Sequence, residues 1–406
     1  MQKLTCDMVD NTRFNRRTVL KSAGSASAIF SLGVSPAGGS HAANHRVKLP
    51  KLRNGKEVIK KHSVPKKWDA HRRNAKQILN NNSFLDMDGV IRSGLSRSPK
   101  DYDGKNGLQI TLGVDSDSDA KTKVPNAIEK IPIGIEEINS KDKSFLAKCN
   151  PLFDDFQCHD CWQGEFLEGG YPIKTGADGN TGTAGFLANT AFNDVMITVA
   201  HLWVNVRSKD PNCSKYIYGD TVEFCSGKEI GPVIDWDIED DWAMIDINDG
   251  VKGQGDIDMA GPEIHVDGVV DESCMHSWVA MWPWNQPCLR SMGRNSSVTA
   301  GRIKHVNFAY TNSNEDLFLD CISYESDGSQ DGVYTYCDIV GGDSGGPTWH
   351  KEDGKAYITN LNSSGHIPND PLVQTCSGNL RGQDSSGIAA YEIFNDTSCY
   401  LPFGNL

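Results

Sequence analysis

Nowhere do the 406 residues offer the ~18 consecutive apolar positions that a membrane-spanning helix needs. Aromatic residues are few, at 8%, beside 38% hydrophobic and 23% charged residues. That composition excludes the disordered and fibrous classes and is that of an ordinary globular chain. No internal repeat of fixed period is present. Positive charge is also scarce: the net charge is −13, which argues against a polyanion such as nucleic acid as the partner. Cys158-His159-Asp160-Cys161 has no second Cys/His pair of matching spacing, so the four ligands of a structural zinc are not assembled. Asp115-Ser116-Asp117-Ser118-Asp119 lacks the glycine and distal glutamate of an EF-hand and reads as a solvated turn. No metal and no cofactor is therefore expected.

What is present begins with an export signature. Arg16-Arg17 precedes a mildly apolar, small-residue run from Ser22 to Ala37 and then Ser40-His41-Ala42. This is the order of a twin-arginine signal, so residues 1–43 are set aside from the fold and the product is expected outside the cytoplasm, clear of the membrane once the signal is cut. The 12 cysteines suit that compartment, where disulfides persist. Sequons at Asn81, Asn212, Asn295, Asn362 and Asn395 permit glycosylation.

Charge divides the remainder. Residues 44–167 hold 22 Lys and Arg against 17 Asp and Glu, and residues 168–406 hold 13 against 34. Opposite signs make intramolecular docking of the first part on the second electrostatically reasonable. Residues 44–79 read as a basic linker or helical arm. Residues 80–146 read as a small α+β module, with strands at Gly107–Val114 and Ile131–Ile138. The whole of 44–167 is expected to be a pro-segment or accessory region. From about Glu168 the pattern changes to short strands between Gly, Asn and Asp turns, as in a β-barrel domain.

Three stretches carry chemistry. Gly341-Gly342-Asp343-Ser344-Gly345-Gly346-Pro347 offers a serine on a tight turn, with glycines that leave backbone N–H groups open to a developing oxyanion. Val195-Met196-Ile197-Thr198-Val199-Ala200-His201 is an apolar strand ending in a histidine, a base for that serine. Asp241, opening Asp241-Trp242-Ala243-Met244-Ile245, is the carboxylate to orient the imidazole. Asp235, Asp237 and Asp240 are its rivals, read as solvated loop acids.

These stretches resemble, in order and approximate spacing, the three signatures of trypsin-like serine peptidases. Gly169-Gly170, Gly182–Phe186, Cys288–Arg294 and Ser297–Ile303 are similar to the bacterial secreted, streptogrisin-like branch. The resemblance covers residues 168–406 and implies an all-β fold, a two-barrel antiparallel chymotrypsin-like domain preceded by the α+β region. It implies Ser344 as nucleophile, His201 as base, Asp241 as its orienter, and the N–H groups of Gly342 and Ser344 as oxyanion hole. It further implies a buried Asp343 paired with an internal arginine, Arg290 or Arg294. The pocket base falls at Asp338 and the pocket wall at Asn362, Ser363 and Ser364. A carboxylate at that base favours cleavage after Lys or Arg. Glutamyl-type members also carry an aspartate there but bring a histidine from the wall, where this chain has Asn362. The family's cysteine after the histidine is replaced by Leu202, and a Cys337–Cys376 bridge is expected beside the pocket. The expected activity is a secreted serine endopeptidase acting on proteins or peptides. Its alternatives are a non-catalytic binding protein on the same fold, or the same triad with glutamyl or ester specificity.

Overall fold

The basic segment that was expected to be a linker or helical arm starts as a hairpin. In the computed structural model, which describes residues 45–401 apart from 116–117, 139–165, 177–178, 204–216, 238–239, 258–263, 311–331 and 376–377, β1 (Arg46–Asn54) and β2 (Glu57–Pro65) pair antiparallel. The export signature, Cys158–Cys161, Asn212 and Cys376 lie outside the described residues. Gly55 has φ +54 at the first position of the two-residue loop, the conformation a II′-type hairpin asks of that residue. A helix, Lys66–Asn81, follows and buries Trp68, Ala75, Ile78 and Leu79 on one face, at the spacing of a helical stripe.

Next come β3 (Val90–Asp101), β4 (Asn106–Val114), β5 (Ala127–Ile128) and β6 (Ile131–Glu137). The two strands expected from alternation in this region are β4 and β6. Beyond residue 165 the chain forms β7 (Phe166–Gly169), β8 (Pro172–Thr175), β9 (Thr181–Thr183), β10 (Phe186–Asn189) and β11 (Asp194–Thr198). β12 (Thr221–Phe224), β13 (Glu229–Asp237) and β14 (Trp242–Asp246) follow. The strands from β8 to β14 make one curled sheet in the order β10-β11-β14-β13-β12-β8-β9.

The remaining strands are β15 (Lys252–Ile257), β16 (Ile264–Val270), β17 (Leu289–Gly293), β18 (Ser297–Gly301) and β19 (Ile303–Tyr310). They are followed by β20 (Gly332–Ile339), β21 (Pro347–Glu352), β22 (Lys355–Leu361), β23 (Ser364–Thr375) and β24 (Gly378–Ile388). A helix, Glu272–Val279, lies between β16 and β17, and a last helix spans Ala390–Asp396. Strands β17–β24 divide between two sheets that approach closely: a Cβ on Gly301 would stand 2.3 Å from the backbone carbon of Tyr336. The architecture is all-β and two-barrelled.

The N-terminal strands extend both sheets of the second barrel. One runs β18-β17-β21-β22-β16-β1-β2 and the other β23-β24-β20-β19-β3-β4-β6-β5. Leu52 faces Val270 across β1 and β16, and Leu95 faces Val306 across β3 and β19. These pairings leave the barrel strands β16 and β19 without an open edge on that side, which suppresses association through unpaired backbone groups. Residues 44–406 form one compact unit. Ions also cross: Lys51 and Lys60 reach Glu352 at 2.6 and 2.5 Å, Lys304 reaches Glu136 at 2.6 Å, and Arg53–Asp271 and Lys76–Glu272 pair likewise.

The expected pocket-side bridge of Cys337 is not formed. Cys337 is a free, fully buried thiol, its Sγ 3.9 Å from the Leu289 carbonyl. Burial pushes that thiol up to about 12, which leaves it inert packing in the barrel core.

Trp68 fastens the helix Lys66–Asn81 to the strands of residues 45–138. It is fully buried, donates from Nε1 to the Asn106 carbonyl at 2.8 Å, and lies under the Lys105 ammonium at 4.7 Å. Trp68→Ala is expected to cost about 3–5 kcal/mol in denaturant unfolding of the full chain, with a single transition retained. A separate early transition would show that residues 45–138 unfold by themselves.

Candidate active site

Each barrel supplies one side of the site. β11 ends at Thr198, and His201 sits in the short 3-10 turn Ala200–Trp203 that follows. Asp241 directly precedes β14, with φ +53, a left-handed backbone that aspartate tolerates better than most side chains. β11 and β14 are neighbours in register, Thr198 opposite Ala243, so both residues emerge at the same rim.

The Asp241 carboxylate is 1% exposed and holds the histidine twice. Oδ1 accepts from the His201 backbone N–H and Oδ2 from His201 Nδ1, each at 2.8 Å. The Ser363 hydroxyl donates to Oδ2 as well. With Nδ1–H committed, Nε2 is left as the basic nitrogen. Burial opposes a charge on the ring, but the Asp241 charge and hydrogen bond outweigh it, so His201 titrates above its ordinary value. The rivals of Asp241 do other work. Asp237 Oδ1 caps the Asp240 N–H at 3.0 Å and Asp235 caps Trp236 at 3.1 Å. Asp240, expected in solvent, is buried.

Opposite lies the glycine-rich turn. The Asp343 N–H donates to the Val340 carbonyl at 3.1 Å, and Gly342, at the third position of that turn, has φ +95. This is a type II turn, whose third position requires φ > 0. Ser344 follows, half-buried, and its carbonyl accepts from the Thr183 N–H at 2.8 Å. Among the described residues, the N–H groups of Gly342 and Ser344 donate to no acceptor, and no hydrogen bond joins the Ser344 hydroxyl to His201. The barrels meet through Thr183–Ser344 and Ser363–Asp241, and the Gly345 N–H donates to the Asn362 carbonyl at 2.7 Å.

Asp343 is fully buried, but its partner is not an arginine. Oδ1 accepts from the Asn295 and Ser296 N–H groups at 2.8 and 3.1 Å, and Oδ2 from the Val340 N–H at 2.8 Å. Neither Arg290 nor Arg294 is among its partners; the β17–β18 hairpin brings its backbone, not a guanidinium, to the carboxylate. Burial pushes the carboxyl above its ordinary range, opposed by the Ser296 hydroxyl and these amides.

Asn362 also departs from expectation. Its side chain is fully buried, donating to Ser291 Oγ at 2.7 Å and accepting from Thr348 Oγ1 at 3.0 Å and Ser385 Oγ at 2.7 Å. It braces the inside of the second barrel rather than a pocket wall, and its buried amide is no glycosylation acceptor. Ser363 lies one residue on, with its hydroxyl on Asp241. Ser364 is half-buried at the start of β23, opposite Ser386. Asp338 lies near the end of β20, half-buried, opposite Asp384 of β24. Its carbonyl accepts from Thr299 Oγ1 at 2.8 Å.

No family model and no curated protein matches this chain. Among solved structures, it is similar to a glutamic acid-specific serine protease described as using a histidine triad in substrate binding. That match has 17% identity and a TM-score of 0.40, covering 58% of this chain and all of that one. Thermobifida fusca protease A is 16% identical at a TM-score of 0.39, covering 59% of this chain and all of that one. Cellulomonas bogoriensis chymotrypsin is 14% identical at a TM-score of 0.39, again over 59% of this chain and all of that one.

The Asp241 contacts set an observable titration. In a Ser344→Ala chain, the His201 imidazole is expected to titrate above 6.5 by NMR, and Asp241→Asn should lower it. Because the folded value is raised, this pair stabilises the fold fully below ~6.5 and ceases to do so as pH rises through the folded value. A His201 titration unmoved by Asp241→Asn would show that the carboxylate does not govern the ring.

Proposed function

We propose that this chain is a serine endopeptidase in which Ser344 attacks the scissile carbonyl with His201 as base. The observation that carries the reading is the double grip of Asp241 on His201, at the backbone N–H and at Nδ1. It leaves Nε2 as the only basic nitrogen of the ring. As the Ser344 Oγ–carbon bond forms, the hydroxyl proton passes to Nε2 and the imidazolium is stabilised by Asp241. The carbonyl oxygen becomes an oxyanion between the N–H groups of Gly342 and Ser344, which have no other acceptor among the described residues. Preorganised donors of this kind contribute a few kcal/mol each. Collapse breaks the C–N bond, Nε2 returns the proton to the leaving amine, and water repeats the sequence on the acyl-enzyme. Catalytic hydrogen bonds commonly tighten only when substrate is bound, so the open Ser344 hydroxyl is compatible with this role.

Asp338 as pocket base supports cleavage after Lys or Arg by charge complementarity. The twin-arginine signature supports export of the product.

The test is a cleavage-site profile of the full chain on a mixed peptide library beside Ser344→Ala. Cuts after Lys and Arg are expected, with kcat falling about 10^6-fold in the variant. Cuts elsewhere that still need Ser344 would discard the pocket assignment. Absence of serine-dependent cutting and of Ser344 labelling by a phosphonate probe would favour a binding protein.

We also propose that residues 45–138 are an accessory part of the working enzyme. Leu52, Trp68, Leu79, Leu95 and Ile110 are all at most 1% exposed, in a core continuous with the barrels. The pair Arg72-Arg73 lies inside a helix, with Arg72 buried against Asp69 at 3.0 Å, where a peptidase cannot extend it without unfolding the turn. Mass analysis of the phosphonate-labelled secreted protein should find these residues still attached or bound. A fully active labelled species without them would make them a removable pro-segment.

A further inference from the structure

Building on that peptidase reading, we infer that Asn295 is a positioning residue for the oxyanion hole, taking a part that would otherwise fall to an arginine at Asp343. The hole depends on one peptide, Gly341–Gly342. A trans peptide is planar, so its C=O and N–H point in opposite directions, and fixing one aims the other. The Gly341 carbonyl accepts from Asn295 Nδ2 at 2.5 Å, and among the described residues no other group holds it. That bond directs the Gly342 N–H away from Asn295, and this N–H donates to no acceptor among the described residues.

The same residue acts a second time through its backbone, whose N–H donates to Asp343 Oδ1 at 2.8 Å. Asn295 therefore clasps the turn on both sides of Gly342. Neighbouring bonds fix only the adjoining peptide: Thr183 Oγ1 donates to the Gly342 carbonyl at 3.0 Å and accepts from the Arg294 N–H at 3.1 Å. Space points the same way. A Cβ on Gly342 would stand 2.6 Å from Asn295 Nδ2, so the amide packs directly against the turn. Gly341 is exposed and both turn residues are glycines, with two backbone conformations of similar energy open to them. Without the side-chain amide the peptide is free to flip, presenting a carbonyl where the oxyanion needs a donor.

The experiment compares Asn295→Asp, Asn295→Ala and Asn295→Ser with the wild-type full chain. The aspartate keeps size but cannot donate to the Gly341 carbonyl, and all three variants keep the backbone bond to Asp343. For Asp and Ala, kcat on a peptide amide is expected to fall about 10- to 100-fold, a fraction of the loss from deleting a whole donor. KM should stay within about twofold and the melting temperature should hold. A peptide boronate, which forms a tetrahedral adduct on Ser344, should weaken by the same factor as kcat. Asn295→Ser, which retains a donor, should recover part of the rate. Unchanged kcat in the Asp and Ala variants, or a loss confined to KM or melting temperature, would overturn the positioning role while leaving the peptidase reading intact. A wild-type chain with neither Ser344-dependent turnover nor boronate binding would overturn both.

Discussion

The buried carboxylate of Asp343 is the constraint around which the site is arranged. A carboxylate taken fully out of water must be compensated, and the desolvation cost is several kcal/mol unless strong hydrogen bonds replace the solvent. Here three backbone N–H groups do so, from Asn295, Ser296 and Val340. Two come from the tip of the β17–β18 hairpin and one from the start of the turn itself. The tip of the β17–β18 hairpin is drawn onto the residue before Ser344, and the end of β20 is drawn back over it. A type II turn with φ +95 at Gly342 is the shape left to the chain between those anchors.

The second dependence is the seam between barrels. His201 and Asp241 belong to one β layer and Ser344 to another, so their relation is only as good as the bonds that cross. Thr183 spans the seam with both backbone and hydroxyl, at 2.8 Å to Ser344 and 3.0 Å to Gly342. Ser363 crosses in the other direction to Asp241. Its neighbour Asn362 is anchored twice, by backbone to Gly345 and Gly346 and by side chain to Ser291, Thr348 and Ser385. Asn362 acts through Ser363: fixing one residue of the strand end fixes the direction of the next.

This division explains what could be read from the chain alone. The glycine-rich turn, the strand ending in His201 and the strand start at Asp241 were legible because each needs only local residue types. The β character followed from turn spacing, and the two-barrel fold and the stretches of β17 and β18 from the resemblance. Side-chain direction was not legible. Asn362 and Ser363 are adjacent and polar, and only the tertiary packing decides that one enters the core and the other meets Asp241. The partner of Asp343 escaped for a related reason, since a backbone N–H has no sequence signature, whereas an arginine does. Asn295 acts 46 residues before Gly341, with no pattern linking them. The β1–β2 hairpin turns on Gly55-Lys56, with glycine in the first loop position as a II′ turn asks, a signal obscured by the surrounding lysines.

The opposite charges of the two halves were the one sequence feature that bore on how residues 45–138 meet the rest, and magnitudes put that feature in its place. Lys60 is 43% exposed in its pair with Glu352, and pairs of such exposure contribute roughly 0–1 kcal/mol each. Fully burying one large apolar side chain contributes about 1.5–3 kcal/mol, and Trp68, Leu79, Leu95, Leu108, Ile110 and Leu112 are all buried completely. The apolar core runs without a break from these residues into the barrels and outweighs the exposed ions, while the strand pairings of β1 with β16 and β3 with β19, with Leu52 on Val270 and Leu95 on Val306, fix the register. Ion pairs such as Arg53–Asp271 and Lys304–Glu136 select the orientation, because a shift of one strand would set these charges against apolar surface or against their own kind. Charge complementarity read from composition is thus a statement about specificity of docking, and the stability of the same interface resides in residues that composition alone does not single out.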